Sequence, residues 1–127
     1  MKVLRAIMIG FLFVACFSTM ALAEMYVSRA EVCTGIENRE PVGGADSFTD
    51  VDRLYLFSEI KDAGENSQIK HVWYFDNTEV LEVDLTVKGP RWRTWSNKNI
   101  YGMKGAWRVD IVDSAGNALR SVPFTVQ

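Results

Sequence analysis

The sequence predicts an all-β protein: an immunoglobulin-like antiparallel β-sandwich of about seven strands, preceded by a cleaved signal peptide. Three observations predict it. Period-two alternation of apolar and polar residues recurs along the chain, while helical periodicity is scarce. Turn-forming clusters punctuate the alternating runs at regular spacing. Without the leader 104 residues remain, a length suited to one sandwich core without disulfide staples. A small β-barrel is the alternative architecture.

The leader comes first. Lys2 and Arg5 make a basic start, Ala6 to Phe17 is mostly apolar, and Ala21-Leu22-Ala23 has the small-x-small form of a cleavage site. The apolar run is shorter than the ~20 residues of a membrane span. The expected organisation is a signal peptide over residues 1–23 and a single β-sandwich domain over residues 24–127, periplasmic or secreted, with no membrane span in the mature chain. Phe13-Val14-Ala15-Cys16 also resembles a loose lipobox, so a lipoprotein anchored at Cys16 is the alternative. Against it, the residues after Cys16 stay apolar to Leu22 where a polar tether is usual.

The strands follow in chain order. Tyr26 to Cys33 is the first candidate. Thr34 to Asp50, with Pro41, Gly43 and Gly44, reads as a long crossover loop. Arg53 to Ile60 and Ile69 to Phe75 are apolar and aromatic on both faces, which suits central strands. Between them, residues 62–67 are polar and break structure. Asp76-Asn77 is short enough for a hairpin. From Glu79 to Val87, Leu81, Val83, Leu85 and Val87 share one face and Glu82, Asp84 and Thr86 the other, with Val80 out of step. Arg91 to Ser96 follows Gly89-Pro90. Trp107, Val109 and Ile111 alternate with Arg108 and Asp110. After a turn over residues 113–117, the last strand carries Ala118, Val122, Phe124 and Val126, with Pro123 marking an edge or a bulge.

Composition excludes some functions. Cleavage takes the net charge from −2 to −4, leaving no overall basic case for nucleic acid. Only Cys33 survives cleavage, so no internal disulfide forms, and a small apolar cysteine is expected buried and inert. His71 is the only histidine. One histidine and one cysteine cannot build a Cys/His zinc site within the chain, and no G-x-S-x-G elbow is present. With Ile69, Trp73 and Phe75 on its face, His71 reads as a hydrogen-bonded structural residue. Asp46, Asp50 and Asp52 offer oxygens for calcium but lack the EF-hand spacing, so they read as solvated loop carboxylates. No catalytic residue, metal or cofactor is expected.

The remaining concentration of chemistry is Gly89 to Gly102, with two tryptophans, a tyrosine and two arginines. On a strand, Trp92, Thr94 and Ser96 face one way and Arg91, Arg93 and Trp95 the other. Arg91, Arg93, Trp95 and Tyr101 are therefore the candidate ligand-binding residues, suited to carboxylates, sugar faces or a protein hot spot. The competing role for Arg93 is an ion pair with Glu82 or Asp84 on a neighbouring strand.

Several stretches also resemble the bacterial family of domain of unknown function 2914. They are VCTGIENREPVGGADSF, RLYLFSEI, HVWYFDNTEVLEVDLTVKGPRWRTWSNKNI and GAWRVDIVDSAGNALRSVPFTV. The resemblance runs from about Ala30 to Val126 and rests most on His71 to Tyr74, Arg91 to Ser96 and Gly105 to Val109. It implies an envelope or secreted all-β domain with no established activity and no catalytic residues to carry over. The expected function is a non-catalytic module recognising an envelope protein or glycan through the Arg/Trp strand. The alternative is a structural subunit docking by strand addition at a sheet edge. A hydrolase using His71 or the acidic loop is the minor alternative.

Overall fold

The computed structural model describes residues 24–127. The signal peptide over residues 1–23 and the lipoprotein alternative at Cys16 lie outside the described residues.

Ten strands form: β1 (Tyr26–Cys33), β2 (Gly35–Glu37), β3 (Glu40–Val42), β4 (Ser47–Phe48), β5 (Arg53–Lys61), β6 (Ser67–Phe75), β7 (Thr78–Val87), β8 (Arg91–Asn99), β9 (Gly105–Asp113) and β10 (Ala118–Val126). All seven expected strands are present. The three additional ones, β2, β3 and β4, come from the stretch read as a crossover loop. Their brevity hid them: two or three residues carry no periodicity to detect.

The strands make a three-stranded sheet, β1-β5-β8, and a five-stranded sheet, β4-β10-β9-β6-β7, with β2 and β3 paired as a separate hairpin. The chain changes between these two sheets from β4 to β5, β5 to β6, β7 to β8, and β8 to β9. Pairing is antiparallel except where β4 runs parallel to the end of β10. The result is a sandwich, as the alternation predicts, and not a closed barrel.

Alternation decides what lies inside. Leu54, Leu56 and Ile60 of β5 are fully buried, as are Ile69 and Trp73 of β6 and Val109 and Ile111 of β9. Phe124 organises the aromatic part of the core. Its ring stacks on Trp107 at 5.9 Å between centroids and meets Phe48 and Trp73 edge-on at 6.1 and 6.2 Å. Such rings each remove on the order of 150–250 Å² from water, making this the densest apolar contribution.

The irregular points have local causes. Asp76 and Asn77 both take positive φ, 48° and 63°, closing β6 onto β7 in the primed turn that hairpin twist favours. Trp73 pairs with Leu81 and Tyr74 with Glu79, so Val80 is an extra residue in β7, which explains its break in alternation. Thr125 N–H on β10 points toward β4, where it donates to Asp46 O. Pro123, two residues earlier, therefore aims its hydrogen-free nitrogen at the same edge and removes no bond from the β9 ladder.

Candidate functional site

Strand β8 runs along the edge of the three-stranded sheet, paired with β5 in a register that sets Ile60 opposite Trp92, Ser58 opposite Thr94 and Leu56 opposite Ser96. Trp92, Thr94 and Ser96 thus face the core side. Arg91, Arg93 and Trp95 face outward with Glu59 and Phe57 of β5 and Arg29 of β1. The two faces do different work.

On the outer face the arginines are already engaged. Arg91 Nε donates to Glu59 Oε2 at 2.8 Å, and Arg93 Nη1 donates to Glu40 Oε1 at 2.7 Å. Arg29 Nη2 holds the other Glu40 oxygen at 2.9 Å, and its guanidinium lies 5.0 Å from the Phe57 ring centroid. Glu40 stands on the β2–β3 hairpin. Because it bonds Arg29 on β1 and Arg93 on β8, the hairpin must cross β5 between them. That crossing explains why Phe57 is fully buried and Glu59 only 5% exposed on a nominally outward face. Arg91, then burial opposing it, then the Ser28 hydroxyl set the Glu59 carboxyl, with the net effect of holding it below its usual range. Glu40 is likewise held low, chiefly by Arg29 and then Arg93.

This corrects the sequence expectation for Arg93. Its partner is Glu40, not Glu82 or Asp84. Those two belong to β7 in the other sheet, where Lys70 takes both, at 2.7 and 3.8 Å. Glu40, Glu59 and Arg29 were missed. Glu59 had a signal, since a carboxylate inside the apolar run RLYLFSEI needs a buried cationic partner. Glu40, in an unread hairpin, had none.

Beyond the hairpin the same face continues as an open strip. Tyr55 stands opposite Asn97 and Arg53 opposite Asn99, with Trp95 beside them. Arg53 Nε donates to Asn99 Oδ1 at 3.0 Å, and Asn99 Nδ2 donates to Tyr101 Oη at 3.0 Å. Tyr101 is 76% exposed. The four sequence-selected residues are therefore not one patch. Arg91 and Arg93 lie in the hairpin-covered half, and Trp95 and Tyr101 belong to the open half.

On the inner face, His71 is 0% exposed and sits between the sheets. Its Nε2 is 3.0 Å from Ser58 Oγ on β5, and its Nδ1 is 2.7 Å from Ser96 Oγ on β8. Trp73 Nε1 donates to the same Ser96 oxygen at 3.0 Å, and Ser58 Oγ donates to Thr94 O at 3.4 Å. Counting donors assigns the tautomer. With the proton on Nε2, the chain runs from Trp73 N–H to Ser96, from Ser96 O–H to Nδ1, from Nε2–H to Ser58, and from Ser58 O–H to Thr94 O. The other tautomer gives Ser96 two incoming protons and no acceptor for its own. Burial lowers the His71 pKa to about 3, keeping the ring neutral. A hydrolase working through His71 is contradicted by this enclosure, as both ring nitrogens are occupied in the core.

The acidic loop is dispersed. Asp46, Asp50 and Asp52 are exposed, and the backbone carbonyls of Asp46 and Asp52 accept from Thr125 and Ile100. Among the described residues, no three His, Cys, Asp or Glu side chains stand close enough to hold a metal ion. Cys33 is fully buried, and burial raises its thiol pKa to about 11.

Residues 66–126 match the model of the family described as Protein of unknown function (DUF2914), the family that the sequence resembles. The match covers β6 to β10 in full, and begins well after Ala30. An immunoglobulin-like protein from Pseudomonas aeruginosa shares the fold, with a TM-score of 0.54 and 14% identity, covering 84% of this chain and 99% of its own. No curated protein matches the chain. Antibody domains tie their sheets with a disulfide beside a buried tryptophan. Here Trp73 is buried and the tie is the Ser58–His71–Ser96 bridge.

Proposed function

From the match to a family of unknown function and the immunoglobulin-like fold, we propose that this chain is a non-catalytic binding module of the bacterial cell envelope. The leader read in its sequence supports the compartment. The module holds a glycan against the open strip of the three-stranded sheet. One observation carries this reading: Tyr101 is 76% exposed and bonded to Asn99, on the face that carries half-buried Trp95 and Tyr55 together with Arg53 and Asn97. Aromatic faces stack on the C–H faces of sugar rings, while amide and guanidinium groups bond the ring hydroxyls. Arg91 and Arg93 support the strip by fastening the hairpin beside it.

Strand addition at β10 is the weaker reading. Pro123 removes one donor from that edge, and β4 covers Thr125 and Val126. Truncation after Val122 would also remove buried Phe124 and Val126, so it would test folding and not docking. β7 is a ten-residue edge strand of the larger sheet, and β1 and β8 are the edges of the smaller one.

The test is retention on purified peptidoglycan and lipopolysaccharide, and on envelope protein, of the wild type beside a Trp95→Ala/Tyr101→Ala variant of equal melting temperature. Loss of the two aromatics should weaken glycan binding about 30-fold, or about 2 kcal/mol, if they anchor it as hot-spot residues do. Glycan retention unchanged in the variant removes the strip as the site. A protein captured equally by both chains moves docking off the strip, with the edge strands such as β7 the next place to test.

A further inference from the structure

The hairpin-covered half of the face has its own chemistry. Arg29 of β1, Lys61 of β5, and Arg91 and Arg93 of β8 all point outward around Glu59. Four cations therefore surround one buried carboxylate. The balance is improved by Glu40, whose two oxygens are shared between Arg29 and Arg93, with Arg91 Nη2 at 3.9 Å. Glu40 arrives on a hairpin of two three-residue strands, and its side chain is 41% exposed. Both turn residues, Asn38 and Arg39, have positive φ, 50° and 62°, so the tip is a tight, self-contained turn. Gly43 and Gly44 form its base.

We infer that Arg29, Arg91 and Arg93 form an oxyanion-binding cradle that Glu40 occupies in cis, and that a carboxylate or phosphate group of an external ligand binds there by displacing it. Planar guanidinium groups present paired donors matched to carboxylate and phosphate oxygens. The Glu40 carboxylate shows that this cradle accepts such a group. Exposed ion pairs are individually weak, so a competing anion can take the place of Glu40. Glu59 cannot exchange in this way, because it is buried and also bonded by Ser28 at 2.8 Å. It remains as the fixed counter-charge that orients Arg91. The site is separate from the open strip, and substitutions of Trp95 or Tyr101 leave it intact.

The experiment is an NMR titration of backbone amides and arginine side chains with two probes, inorganic phosphate and glutarate. It uses the wild type, Glu40→Gln, and Glu40→Gln/Arg93→Ala. Glu40→Gln should bind at least one probe about tenfold or more tightly than the wild type, and the added Arg93→Ala should abolish the gain. The probe that gains more identifies phosphate or carboxylate as the preferred group. Equal binding by the wild type and Glu40→Gln overturns the inference, as does a gain that survives Arg93→Ala. The wild type supplies a reading that needs no variant. At high probe concentration the amides of residues 35–42 should shift together as Glu40 leaves the arginines. Stationary hairpin amides alongside shifting arginine resonances overturn displacement.

Discussion

His71 illustrates how far a single residue can be read. Its place on the inner face follows from alternation with Ile69 and Trp73, and a structural role was expected on that basis. Its partners were not legible, because Ser58 and Ser96 lie on other strands and become neighbours only through the sandwich. Ser58 did carry a faint signal as a hydroxyl within an apolar run. Replacing His71 by Ala removes a buried ring, leaves the Ser96 hydroxyl without its acceptor and Ser58 without its incoming Nε2–H, so it should destabilise by about 3–5 kcal/mol. Chemical denaturation measures this; a loss below about 1 kcal/mol would show that the bridge carries little. Ring ¹⁵N shifts should also report the proton on Nε2.

Among the elements, strands of eight to ten residues were legible and those of two or three were not. The consequence fell on the candidate site. Arg91 and Arg93 were placed correctly on the outer face, yet what covers them sits on β3, in the stretch read as loop. The Gly43-Gly44 pair was visible in the sequence but its reason was not. Gly43 has φ 71°, and a Cβ there would collide with the Thr34 hydroxyl. Gly64 has φ 74° with open space around it. Gly43→Ala should therefore cost about 2–3 kcal/mol and Gly64→Ala about 1 kcal/mol, the difference being the collision. Equal melting temperatures for the two variants would show that the hairpin base yields freely.

For the whole molecule the decisive variable is acid. His71 is neutral when folded, with its pKa lowered to about 3, whereas an unfolded histidine titrates near 6.5. The unfolded chain thus binds more protons below pH 6.5, and stability falls with pH across the window from 6.5 to about 3. This one group withdraws up to about 5 kcal/mol. Glu59, held below its ordinary 4.5 chiefly by Arg91, acts in the same direction, with stability present above pH 4.5 and lost below it. Urea midpoints should be level above pH 7 and decline steadily below 6.5. His71→Gln should remove the decline between 6.5 and 4.5 and leave the part below it. A wild-type midpoint unchanged from pH 7 to 5 would contradict the neutral buried ring.

The bridge between the sheets also shapes biogenesis. A cystine tie forms by a separate chemical step that needs an oxidant, and a wrong pairing has to be reshuffled. Ser58, His71 and Ser96 need neither. Their bonds close when β5, β6 and β8 reach register and reopen when register is lost, so assembly proofreads itself without a catalyst. The same fastening works in reducing and oxidising surroundings, and its closure depends on register and pH, not on thiol exchange.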